Sequence, residues 1–162
     1  MIVSESTLKW IMRFYPPLFF QRIWVVKFHS QFKGVDIRVK KSLFNQNYNK
    51  SIFGGTIFSA ADPFYPVLLH QVLAAKGYKP IVWLKSCQIQ YMKPAYTKLH
   101  CTLLLPDNVV AEAEKTLQTE GKFVTTLPAE MFNCNGVICV SLLCEVYVRD
   151  LNFIDKSSNL TP

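Results

Sequence analysis

The sequence predicts an α+β domain in which a curved, mostly antiparallel sheet wraps one long central helix. Two observations carry this reading. Residues 56–75, rich in Ala, Leu, Phe and Ile and closed by Gly77, are apolar on most sides, as a buried helix requires. Strand-like segments lie on both sides of that stretch, and a single apolar helix beside a sheet is buried only if the sheet curls around it.

Element by element, residues 4–15 form a short amphipathic helix with Leu8, Ile11 and Met12 on one face, stopped by Pro16-Pro17. Residues 22–28 are β-branched and aromatic, a strand. After a turn at 31–34, Val35, Ile37 and Val39 alternate with Asp36, Arg38 and Lys40, a half-buried strand. Residues 43–51 are asparagine-rich, a loop that leads through Phe53-Gly54-Gly55 into the central helix. Pro63 and Pro66 sit awkwardly in that helix, because each removes a donor. Beyond Gly77, residues 81–92 make a long strand with Trp83, Lys85, Cys87, Ile89 and Tyr91 on one face. A strand at 99–105 follows, then a helix at 107–119 capped by Asp107 or Asn108, and strands at 123–132 and 137–148 joined by an Asn135-Gly136 hairpin. Residues 1–150 form one domain, and 151–162 a polar, flexible tail.

Of the 162 residues, 50% are hydrophobic and only 18% charged, so part of the apolar surface is expected in an oligomer interface. The net charge is +7, the lysines are not gathered into one run, and no zinc-finger or helix-turn-helix pattern appears. A small anionic ligand therefore fits better than nucleic acid. Five cysteines, an odd number with no Cys-x-x-Cys spacing, read as buried thiols of a reducing cytoplasm. They are not read as a disulfide framework or a metal site. No secretory signal is visible. The apolar stretch at 14–28 is interrupted by Pro16, Pro17, Gln21, Arg22 and Lys27 and does not span a membrane. Contact with a membrane surface is not expected, although that stretch leaves it open.

The chemistry gathers at 45–62. Gly54-Gly55 at a loop-to-helix junction leave backbone N–H groups unobstructed at the positive end of a helix, where a carbonyl oxygen gaining charge is stabilised. Asp62 is the only acid between Asp36 and Asp107, and a lone carboxylate in an apolar helix calls for a use or a partner. As an N-cap ahead of Pro63 it has a purely structural explanation. A tight turn is the structural alternative for Gly54-Gly55, and turn geometry that for Asn47. His29, His70 and His100 lack partners at ligand spacing and read as core or surface residues.

Asn47, Phe53-Gly54-Gly55 and Ala61-Asp62 resemble the motif of hotdog-fold acyl-CoA thioesterases of the phenylacetate-degradation type, where asparagine, His-Gly-Gly and aspartate occur at this spacing. With Tyr15-Pro16-Pro17, Asp62-Pro63-Phe64-Tyr65 and Lys93-Pro94, the chain is also similar, over roughly 8–148, to a bacterial family of uncharacterised thioesterase-like hotdog proteins. The resemblance implies a hotdog fold and an acyl-CoA or other acyl thioester as substrate, with no cofactor beyond the coenzyme A of the substrate. It implies Asp62 as catalytic carboxylate, Gly54 as the N–H donor to the thioester carbonyl, and Asn47 beside the reacting group. Phe53 stands where those enzymes often have histidine, and Leu84 where relatives tend to carry a polar residue.

Seven residues of helix separate Gly55 from Asp62 by roughly 10 Å along the axis, too far for one subunit to bring them together. A site using both requires a homodimer, with Asp62 of one subunit facing Gly54 and Asn47 of the other; a tetramer is compatible. Phe53 and Gly55 would border the substrate. Phe58, Phe64 and Trp83 would line the acyl chain, and Lys50 and Lys85 would meet the coenzyme A phosphates. The reaction class is thioester hydrolysis; the alternative is a non-catalytic acyl-thioester or lipid-binding hotdog protein. A dehydratase would need a catalytic histidine that the chain does not place near the helix.

Overall fold

In the computed structural model, whose described residues are 3–154, Ser4 opens the first helix: its hydroxyl accepts from the N–H of Thr7 at 3.2 Å. Helix α1 (Glu5–Phe14) carries Glu5 in its first turn and Arg13 in its last, both favourable to the helix dipole, and buries Met12. The two prolines end α1 as expected. They also start a second short helix, α2 (Pro16–Phe20), because a proline at the first helical position lacks only a donor that had no partner there. Strands β1 (Ile23–Phe28) and β2 (Gly34–Val39) follow, joined through a 3₁₀ turn at Ser30–Phe32.

The central helix forms in two segments, α3 (Gly54–Ser59) and α4 (Phe64–Ala75). The ladder closes with the N–H of Asp62 donating to Phe58 O at 3.1 Å and resumes with Val67 donating to Pro63 O at 3.0 Å. Between them Pro63 and Pro66 supply no N–H, which breaks the single helix the composition suggests. Segment α4 buries Phe64, Tyr65, Leu68, Leu69 and Leu73. The Tyr65 hydroxyl donates to Pro128 O at 2.5 Å, tying the helix to the sheet.

The rest of the chain is β3 (Pro80–Tyr91), β4 (Leu99–Leu104), α5 (Asp107–Glu120), β5 (Lys122–Phe132) and β6 (Ile138–Asp150). All six strands form one sheet in the order β1-β2-β4-β5-β6-β3, every neighbouring pair antiparallel. In β6, Val140, Leu142, Cys144, Val146 and Val148 point to the core while Leu143 and Tyr147 point away, the period of a half-buried strand. Strand β3 departs from strict alternation. A bulge between Leu84 and Ser86 shifts its register, so Val82, Leu84, Cys87 and Ile89 face the core while Trp83 turns outward onto Tyr147, rings stacked 4.9 Å apart. The single face expected for Trp83, Lys85, Cys87, Ile89 and Tyr91 is therefore split at the bulge.

Helix α5 has Pro106, not Asp107 or Asn108, at its N-cap, and no side chain caps it. Its end is a left-handed Gly121 (φ 71°) whose missing side chain leaves room for the ring of Phe153. The hairpin at Asn135-Gly136 forms with Gly136 at φ 73°, held by Asn133 Oδ1, which accepts from the N–H groups of Asn135 and Val137. The expected tail falls partly outside the described residues, and its first part is anchored, with Leu151 N–H donating to Lys79 O at 3.0 Å.

The two edges of the sheet differ. Arg13 reaches the β1 edge and donates to Val25 O at 2.7 Å, so α1 covers it. Strand β3, twelve residues long, pairs with β6 on one side, and among the described residues no strand pairs with its other side. Among the described residues no helix is long and apolar enough to cross a membrane.

Candidate active site

Gly54 and Gly55 occupy the first turn of α3, ahead of the first helical hydrogen bonds, which Thr56 and Ile57 make to Phe53 O. Their glycine identity has two separate causes. A side chain on Gly54 would meet the hydroxyl of Tyr91 at 2.9 Å, and one on Gly55 would run into the ring of Phe53. Tyr91, the last residue of β3 and about half exposed, donates to Gly54 O at 3.1 Å, so strand and helix start are fixed to each other. Sequence alternation places Tyr91 on that strand, but nothing local links it to a glycine 37 positions away.

Gly54, Asn47, Ser51, Ile57, Tyr91 and Lys93 line one recess of about 320 Å³. Asn47 is in place beside Gly54, but its carboxamide is engaged: it donates to Ser51 Oγ at 2.8 Å and accepts from Ser51 N–H at 3.1 Å. It shapes the 47–51 turn, in which Lys50 is exposed and takes a left-handed φ of 58°.

Asp62 lies elsewhere, in a recess of about 300 Å³ lined by Tyr15, Pro17, Leu18 and Gln21 of the N-terminal segment and by Phe58, Ser59 and Pro63. It is not the cap of α4. That position is Pro63, without a side-chain bond, and among the described residues nothing donates to the Asp62 carboxylate. By surface area Asp62 is exposed, yet the walls of the recess desolvate its carboxyl enough to raise its pKa above the ordinary value. Its charge reaches Cys87 and Cys144, which face each other across β3 and β6 with sulfurs 3.8 Å apart; burial pushes the Cys144 thiol up to about 12 and raises that of Cys87.

The remaining expected residues scatter. Phe53, more than half exposed, stands at the N-cap of α3, and Phe58 faces the Asp62 recess. Phe64 is fully buried in the core and Trp83 lies on the outer face of β3, so neither borders either recess within one chain. Lys85 is bound to Glu145 at 3.0 Å; Lys93 lines the glycine recess, and Lys50 lies in the adjoining 47–51 turn without lining it. Leu84 packs against the core, so its strand offers no polar group at that position. Among the described residues no group of three His, Cys, Asp or Glu gathers at metal-ligating distance.

Among curated proteins, no sequence matches this chain. The model of a family described as Domain of unknown function (DUF4442) matches residues 5–148. In three dimensions the chain is similar to a probable thioesterase from Pseudomonas aeruginosa, with a TM-score of 0.81 at 13% identity over 93% of this chain and 98% of that one. It is similar to a thioesterase from Haemophilus influenzae, with a TM-score of 0.70 at 10% identity over 96% of each chain. It is also similar to the PaaI protein of the E. coli phenylacetic acid degradation operon, with a TM-score of 0.60 at 14% identity over 89% and 95%. The chain thus belongs to the family described as Domain of unknown function (DUF4442), and its fold is the hotdog fold.

Proposed function

We propose that this protein hydrolyses acyl thioesters, acyl-CoA foremost, at a site built between two subunits. The observation that carries the reading is the separation of Asp62 from Gly54 into two recesses of one chain, each at the small end for a ligand site. A dimer formed through the unpaired edge of β3 would bring the two halves together, Asp62 of one subunit opposite the Gly54 N–H of its partner. Asp62 then acts as general base on a water, or attacks the thioester carbonyl directly. The Gly54 N–H takes the oxyanion that forms, and the coenzyme A thiolate leaves. Tyr91 positions the donor by holding Gly54 O. Phe58 offers apolar surface to the acyl chain and Lys50 charge to the phosphates. The fold shared with a probable thioesterase and a thioesterase supports the reading.

Release of free thiol from short, medium, long and aromatic acyl-CoAs tests it, with wild type run beside Asp62→Asn. Turnover by wild type that collapses in the variant supports the proposal; equal turnover in both removes Asp62 from it. A binding protein is the second reading, favoured by the apolar Phe53 and by Leu84 packed into the core. It predicts that acyl-CoA raises Tm with no thiol released.

A further inference from the structure

The net charge of this chain is confined to one part of it. Residues 1–61 hold nine Lys and Arg against two acids, while residues 62–162 hold nine of each, so the first third carries the whole net charge of +7. Both acids of that third are engaged: Glu5 accepts from the N–H of Gln31 at 2.9 Å, and Asp36 is held by His29, Lys27 and Thr102.

The same third carries a continuous aromatic surface. Trp10 stacks on Phe14 at 6.0 Å, Phe14 on Phe19 at 6.3 Å, and Phe19 meets Phe20 at 5.6 Å and Trp24 at 6.3 Å. Trp10, Ile11, Phe14 and Phe20 are 49–69% exposed, and among the described residues no other element covers them. Leu43 and Phe44, each 84% exposed, belong to the same rim, because Asn45 bonds Gln21 O at the end of α2 and Lys40 O at 2.8 Å each. Cations sit among the rings: Lys9 lies 5.4 Å and Arg13 4.8 Å from the Trp10 ring, and Lys40 5.7 Å from Trp24.

From this surface we infer that the α1–α2 face docks on an anionic lipid surface, with Trp10, Phe14 and Phe20 entering the headgroup region and Lys9, Arg13 and Lys40 meeting lipid phosphates. Exposed aromatics interleaved with cations are the composition of an interfacial anchor. A second copy of the chain fits this face poorly, since an isologous contact would set two strongly basic surfaces against each other. Single-stranded nucleic acid would use the cations and rings but leave Ile11 and Leu43 without purpose. The inference does not rest on the thioester reading. If both hold, the lipid surface adjoins the Asp62 recess, whose wall includes Pro17, Leu18 and Gln21.

The test is co-sedimentation of the full chain with phosphatidylcholine vesicles with and without 30% phosphatidylglycerol, at about 50 and 500 mM salt. The expected result is partition onto the anionic vesicles alone, weakened at high salt and reduced about fivefold by each of Lys9→Ala and Lys40→Ala. Phe14→Ser with Phe20→Ser should abolish it. For wild type, bilayers with brominated acyl chains should quench tryptophan fluorescence, a readout that no misfolded variant can imitate. Absence of binding and quenching overturns the inference. So does a Phe14→Ser, Phe20→Ser protein that turns from dimer to monomer, or wild type that binds an oligouridylate and not vesicles.

Discussion

At Asp62 the neighbourhood disfavours charge: desolvation raises the carboxyl, and among the described residues no donor reaches it. The folded protein therefore binds the Asp62 proton at a higher pH than the unfolded chain does, and the ionised group opposes folding once pH has risen above that window. Asp62→Asn should raise Tm at pH 7, with the gain vanishing as pH falls below the unfolded carboxyl value, as calorimetry across pH would read. If Asp62 capped α4, its loss would lower Tm instead. Activity should show the same group from the other side: kcat/KM falls on acidification at a higher pH than an ordinary carboxylate would give, and Asp62→Asn loses that limb. Gly54 gives a second prediction at this scale. Gly54→Ala collides with Tyr91 and should destabilise by about 1–3 kcal/mol in urea unfolding, most of it recovered when Tyr91→Ala is added. The lone acid and the glycine pair were legible in the sequence because each is unusual where it stands. Tyr91 was not, since its link to Gly54 exists only through the fold, and the turn role of Asn47 was legible only as one of two readings.

Among the elements, helix and strand positions followed from apolar periodicity, and the departures have local causes. The central helix divides because Pro63 and Pro66 withdraw two donors within one turn, an awkwardness visible in the composition. Helix α2 was hidden because Pro16-Pro17 reads as a stop, though the same residues favour a start. The expected single face of β3 splits because one bulge between Leu84 and Ser86 inverts the alternation, and nothing in the sequence at Lys85 marks it. The split leaves Trp83 and Lys85 on the outer face, opposite Cys87 and Ile89, so Trp83→Ala should leave thioester turnover within about twofold while Phe58→Ala lowers kcat/KM for long acyl chains about tenfold or more. Leu69 lies wholly inside the helix–sheet interface, and Leu69→Ala should cost about 2–5 kcal/mol by urea denaturation.

At the scale of the sheet, one edge is covered by α1 through Arg13 and the other, β3, is unpaired over its twelve residues among the described residues. An open strand of that length invites a second copy, and the low charged fraction of the sequence pointed the same way. The charge asymmetry assigns the α1–α2 face to a different partner, so the two surfaces need not compete. The shared site is tested most directly by mixing two inactive variants, Asp62→Asn and a Gly54→Val chain that blocks the donor, after unfolding and refolding them together. Random pairing makes half of the dimers mixed, each with one intact site, so turnover should return to about a quarter of wild type. Mixtures as inactive as either parent, from variants that refold and dimerise, would contradict a site built from two chains.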